Sequence, residues 1–127
     1  MPDLRTGIDL IEIERLEKAV DRHGLRFLRR IFTSQELSEV GMNSAALSAR
    51  FAAKEAVAKA LGTGIGVISW KEVEILRGES NEPLLILHGS AELLANKLNL
   101  RSWSISLSHS KSHAIALVVA ISECEKP

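Results

Sequence analysis

A chain of 127 residues with 46% hydrophobic and 25% charged side chains is the size of one globular domain with a modest core. Its 16 basic and 16 acidic residues cancel, which excludes a whole-molecule field toward nucleic acid or an anionic membrane and makes every charge argument a local one. No apolar run reaches the roughly 18 residues of a membrane span, no basic-then-apolar leader opens the chain, and a single Cys124 closes no internal disulfide, so the expectation is a cytoplasmic protein with neither membrane nor nucleic acid as partner.

In chain order, Gly7-Ile8-Asp9-Leu10-Ile11-Glu12-Ile13 alternates as a strand, with Ile8, Leu10 and Glu12 on one side and Asp9, Ile11 and Ile13 on the other. Strands are depleted in Asp, so Asp9 is either a turn former at a strand end or a fixed anionic ligand. The period then changes. Ile13, Leu16 and Val20 recur at helical spacing beside a second stripe of Arg15, Lys18 and Arg22, until Gly24 breaks the pattern. Leu25 to Phe32 repeats the mixture of apolar and basic residues. Between residues 15 and 30, six Arg or Lys face two acids, a local net of +4 on a neutral protein. Such a stripe is either a solvated face or, given Leu25, Phe27 and Leu28 within it, a docking surface for something acidic and helical. The neutral charge and few aromatics make nucleic acid the weaker partner.

Thr33-Ser34-Gln35-Glu36 has the spacing of a capping box and predicts a short helix to about Val40, closed by Gly41-Met42-Asn43. Ser44 is placed to cap the next helix, Ala45 to Leu61, which is rich in Ala, Lys and Glu and holds no Gly or Pro; Gly62 stands at its left-handed exit. On that helix Arg50 and Lys54 share a face, as do Phe51, Glu55 and Lys59, so Glu55 and Lys59 are within reach of each other. They form either an exposed ion pair or, with Phe51 and the alanines turning that face toward protein, a functional one. Gly62-Thr63-Gly64-Ile65-Gly66 is either a glycine-rich helix exit or a loop whose amides approach a phosphate; no Gly-Lys-Ser/Thr signature follows it.

Trp70 to Arg77 alternates as a half-buried strand, Gly78 to Pro83 turns, and Leu84 to Leu87 is a second strand. Gly89-Ser90 opens a helix that ends near Asn99. Trp103, Ile105 and Leu107 alternate with serines in a strand that ends at His109; Ser110-Lys111-Ser112 turns into an apolar strand from Ala114 to Ile121. Asp9, Glu55 and a glycine-rich loop together suit a magnesium ion, and Lys59, Arg50 and His109 supply the cations a polyphosphate needs. The reaction itself is not readable from spacing.

Gly7-Ile8-Asp9-Leu10 with Arg15, Arg50-Phe51-Ala52-Ala53-Lys54-Glu55-Ala56 with Lys59-Ala60-Leu61-Gly62-Thr63-Gly64, and Ser106-Leu107-Ser108-His109 closely resemble the holo-acyl-carrier-protein synthases, small bacterial-type phosphopantetheinyl transferases. The resemblance runs through the whole chain, residues 1–127, and implies a single domain of that family. It implies an α+β fold, an antiparallel sheet packed against a long central helix. It further implies transfer of 4′-phosphopantetheine from coenzyme A to a serine hydroxyl of apo-acyl carrier protein, in support of fatty acid biosynthesis, with release of adenosine 3′,5′-bisphosphate. By position, Asp9 and Glu55 would hold Mg²⁺, with Glu55, Lys59 and Asp9 as the catalytic set. Arg50, Lys59, Gly62, Thr63, Gly64, Pro83 and His109 would bind coenzyme A. Arg15, Arg22, Arg26, Phe27 and Arg30, with Leu28 adding apolar contact, would dock the carrier. The family also implies a homotrimer with active sites between subunits. Two rivals differ in class: a non-catalytic module that docks an acidic partner, and an Mg-dependent transferase of another nucleotide.

Overall fold

The structure is a computed structural model that describes residues 3–123; the expectation for Cys124 lies outside them. β1 (Leu4–Glu12) runs straight into α1 (Ile13–Ile31), followed by α2 (Ser34–Val40) and α3 (Ser44–Leu61). A 3-10 turn at Trp70–Glu72 leads to the hairpin of β2 (Val73–Arg77) and β3 (Pro83–Leu87). α4 (Gly89–Lys97) and the strands β4 (Leu100–His109) and β5 (His113–Ser122) complete the chain. The fold is α+β: β1, β5 and β4 pair antiparallel in that order, β2 and β3 make a second antiparallel sheet, and α3 packs on β1 and β5.

α3 is placed by its composition. Ala52, Ala53, Ala56, Ala58 and Ala60 are all buried, and alanine faces let a helix backbone lie close to a sheet. These residues form one core with Val73, Ile75, Ala116, Val118 and Ala120. A second core, Leu16, Leu28, Ile31, Phe32, Val40 and Leu47, holds α1 and α2 on the other side of α3. Gly62 ends α3 at φ 82°, in the predicted left-handed cap. At its other end the cap is Asn43, whose side chain accepts the Ala46 amide, where Ser44 was expected.

Gly24 breaks α1 as its position predicts: at φ 62° and ψ −147° it separates two helical arms. The capping box of α2 is complete, Thr33 accepting the Glu36 amide at 3.1 Å and Glu36 accepting the Thr33 amide at 2.8 Å. The strand expected from Trp70 begins only at Val73. Glu72 accepts the Ser69 amide at 2.7 Å, which winds Trp70–Glu72 into a turn, while Trp70 stacks on Phe51 with ring centroids 4.7 Å apart. The outer face of β1 and β5, with Leu4, Ile8, Leu10, Leu117 and Ile121, is apolar and exposed in the single chain.

Candidate active site

β1 turns Gly7, Asp9 and Ile11 toward the protein and Ile8, Leu10 and Glu12 outward, the alternation read from the sequence. Register sets Asp9 opposite Ala116 of β5, beneath α3. α3 carries Glu55, and one turn later the Lys59 ammonium reaches across to β1. It donates to the Ile8 carbonyl at 2.8 Å and to Asp9 Oδ1 at 3.2 Å. The direct Glu55–Lys59 pair that helical spacing permits is absent from the ion pairs among the described residues. Two acceptors on β1 hold the ammonium better than one carboxylate on its own helix.

Glu55 is nevertheless close to both groups. Burial pushes its carboxyl above the ordinary carboxylate range, the Asp9 charge pushes it further, and the Lys59 charge opposes them. Asp9, Glu55 and Lys59, drawn from 50 residues of chain, thus form one electrostatic unit.

Asp9 and Glu55 line a cavity of about 460 Å³ that also receives Arg15, Phe27, Phe51 and His113. Arg15 and Phe27 therefore belong to the wall of this cavity, while Arg22, Arg26 and Arg30 stand exposed along the two arms of α1. Leu28, read as an apolar contact for a carrier, is instead 1% exposed and part of the core, because Gly24 turns the second arm so that Leu28 and Ile31 face α3. His113 and Glu12 were not singled out in the sequence. They pair across β1 and β5, a neighbourhood visible only once the register is known.

Arg50, Pro83 and His109 meet elsewhere, around a second cavity of about 270 Å³ that also takes Arg77 and Asn81 from the β2–β3 hairpin. The Arg50 side chain is 6% exposed; Nη2 donates to Glu39 Oε1 at 2.9 Å, and Nη1 is buried with no hydrogen-bond partner among the described residues. A buried guanidinium N–H left open beside a histidine and a second arginine suits an anion. Arg77 joined the site unannounced, since only the hairpin carries it there. Arg50 and Glu55 are five residues apart on α3, on different faces, so one chain does not bring the two groups together.

The glycine loop is a third place. The amides of Gly62, Thr63 and Gly64 all donate to the Ala58 and Lys59 carbonyls that end α3, so its backbone donors serve the helix exit.

Among the described residues no three His, Cys, Asp or Glu side chains are grouped to hold a metal. The carboxylate pair is still what Mg²⁺ takes from a protein, because that ion completes its octahedron with water and substrate phosphates. Two carboxylates close enough for one to raise the proton affinity of the other also gain from a cation between them. The residues fit the ion.

Residues 5–118 match the 4′-phosphopantetheinyl transferase superfamily. The holo-[acyl-carrier-protein] synthase of Herpetosiphon aurantiacus is 48% identical over 125 residues, spanning 93% of this chain and 98% of that one. The synthase of Moorella thermoacetica is 47% identical over 123 residues, spanning 94% of each. The crystal structure of the Helicobacter pylori holo-[acyl-carrier-protein] synthase in complex with coenzyme A superposes with a TM-score of 0.83 at 36% identity, covering 91% of this chain and 98% of that one. Matched by the family model from residue 5 to 118, and by synthases nearly half identical along almost their whole length, the chain belongs to the 4′-phosphopantetheinyl transferase superfamily, among its holo-acyl-carrier-protein synthases.

Proposed function

We propose that this chain, as one domain, transfers 4′-phosphopantetheine from coenzyme A to a serine hydroxyl of apo-acyl carrier protein at the Asp9–Glu55–Lys59 unit, in the cytoplasm and in support of fatty acid biosynthesis. The observation that carries the reading is the meeting of two carboxylates, Asp9 and Glu55, on the wall of one cavity, with the Lys59 ammonium bound to the first of them. Phosphoryl transfer asks for positioning and charge stabilisation more than for a covalent nucleophile, and this set offers both.

Asp9 and Glu55 would hold Mg²⁺, which when bound neutralises charge on the pyrophosphate. Glu55, whose burial raises its proton affinity, accepts the proton of the carrier serine, directly or through a water. The serine oxygen forms its bond to the phosphorus of the phosphopantetheine group as the bond to the bridging pyrophosphate oxygen breaks. Adenosine 3′,5′-bisphosphate leaves. Lys59 holds the transferred phosphoryl in place through N–H donation, moving from Asp9 to the substrate oxygens. Arg50, through its buried Nη1, and His109 take the nucleotide phosphates beside Pro83, and assembly brings the separate loop of Gly62, Thr63 and Gly64 to the same nucleotide.

The carrier's acidic helix meets Arg15, Arg22, Arg26 and Arg30, with Phe27 as the apolar contact. The homotrimer is supported by two features: the separation of the Arg50–His109 cavity from the Asp9–Glu55 cavity within one chain, and the exposed apolar face of β1 and β5. Assembly would cover that face and place one chain's nucleotide cavity beside the next chain's carboxylates.

Intact-mass spectrometry of apo-acyl carrier protein incubated with the protein, coenzyme A and Mg²⁺ tests the reading. The expected result is a gain of one phosphopantetheine, lost with chelator and with Glu55→Gln. No gain with several carriers, from protein that still binds coenzyme A, would leave the binding module as the better account.

A further inference from the structure

Gly7 lies two residues before Asp9 on the inward face of β1, against the turn of α3 that carries Glu55. A Cβ built on Gly7 would overlap the carbonyl oxygen of Ala56 outright, and would stand 2.7 Å from its carbonyl carbon and 3.2 Å from its Cα. All three atoms are backbone, so no side-chain rotation makes room. Gly24, Gly41, Gly64 and Gly66 have nothing among the described residues within 4 Å of such a Cβ. At Gly7 strand and helix touch main chain to main chain. Ala56 follows Glu55, and Gly7 shares its face with Asp9, so the same contact measures the gap between the two carboxylates.

We propose that Gly7 is a positioning residue, whose missing side chain sets the distance between Asp9 and Glu55. This rests on the reading of those two carboxylates as the cation-holding pair. Any side chain at position 7 wedges β1 from α3 and carries Asp9 back from Glu55 while leaving every charge in place. A coordination pair is sensitive to such a shift: altered support around a metal ligand weakens binding about tenfold or more. The effect concentrates on the cation and the phosphoryl step, because Arg50, Pro83 and His109 line a different cavity.

The test is a titration with Mn²⁺, read by loss of the free-ion electron paramagnetic resonance signal, alongside kinetics for coenzyme A. Gly7→Ala is expected to weaken Mn²⁺ binding about tenfold and to lower kcat, with KM for coenzyme A within about twofold of wild type. The decisive arm is Gly7→Ala/Asp9→Glu: the extra methylene reaches across the widened gap, so Asp9→Glu restores Mn²⁺ binding in that background although it impairs the parent. Should Gly7→Ala fail to fold, Ala116→Val widens the same gap from the strand opposite Asp9, where Ala116 is fully buried under α3, and is expected to weaken Mn²⁺ in the same way. Unchanged Mn²⁺ affinity in a folded wedge variant overturns the inference, as does a loss that Asp9→Glu does not restore in Gly7→Ala. A wild-type protein that binds no Mn²⁺ and transfers nothing overturns the reading of the pair itself, which separates the two failures.

Discussion

Glu55 serves two ends that conflict. A base for the carrier serine works best with a raised proton affinity, and burial followed by the Asp9 charge supplies it. The same forces tax the metal-free fold. A group whose pKa is higher folded than unfolded favours folding while it is protonated: that contribution is full below the ordinary glutamate value and is lost as pH rises through the raised folded-state value. At neutral pH the carboxylate is therefore a net cost in the absence of a cation. Glu55→Gln is expected to raise the melting temperature by a few degrees at pH 7 in chelator, with the gain shrinking as pH falls toward about 4, while transfer is abolished. Differential scanning fluorimetry across that range checks it, and a variant that melts lower than wild type at pH 7 would count against the electrostatic account. The sequence displayed Asp9, Glu55 and Lys59 as candidates through strand alternation and helical spacing. It could not show that Lys59 would choose the Ile8 carbonyl and Asp9 over its own-helix neighbour, because that choice depends on how close β1 lies to α3.

At the scale of elements, α2, α3 and β2 are joined by one buried cation. The Lys54 ammonium is fully enclosed and donates to Glu36 Oε1 at 2.8 Å, to the Trp70 carbonyl at 3.0 Å and to the Val73 carbonyl at 2.6 Å. Burial pushes its pKa down while Glu36 pulls it back up. Glu36 also accepts the Thr33 and Ile75 amides, so the capping box of α2 is part of the same network. Lys54→Ala strands a buried carboxylate and two carbonyls and is expected to cost about 3–5 kcal/mol by urea unfolding, part of which Lys54→Met/Glu36→Gln recovers. Gly24 makes a different demand. An alanine there would crowd nothing, yet φ 62° with ψ −147° is a conformation reserved to glycine, so Gly24→Ala should cost about 1–3 kcal/mol of strain or reorient the arm bearing Arg26 and Arg30. Its expected kinetic signature is a raised KM for the carrier with KM for coenzyme A unchanged. The helices, the capping box of α2 and the glycine exit of α3 were legible because they are local chemistry, while the N-cap of α3 fell one residue before the expected Ser44, at Asn43. The Lys54–Glu36 bond, 18 residues apart, was not, since only the folded chain brings its partners together; the turn at Trp70–Glu72 rests on the local Ser69–Glu72 pair, which the apolar alternation after Trp70 concealed.

For the whole molecule, the proposed trimer makes a prediction that a monomeric enzyme cannot share. One chain keeps Asp9 and Glu55 on one cavity and Arg50 and His109 on another, so Glu55→Gln and His109→Ala disable different halves of a site. His109 is exposed at the end of β4, and its loss should leave the fold intact. If each site joins the carboxylates of one subunit to the nucleotide cavity of the next, every mixed trimer contains one site with both halves intact. Random mixing of equal amounts puts about three quarters of trimers in mixed form, so about a quarter of all sites should regain wild-type transfer. The two variants are dissociated, mixed, reassembled and assayed for carrier modification against each variant alone. Recovery near that fraction places the site across the boundary; the average of the two separate activities would confine it to one chain. A companion variant, Leu10→Asp, puts a charge on the exposed apolar face of β1, where Leu10 is 61% exposed in the single chain. It should dissolve the assembly in sedimentation and abolish transfer while leaving far-ultraviolet circular dichroism unchanged, because burying an unpaired carboxylate in a subunit interface costs more than the apolar contacts around it return.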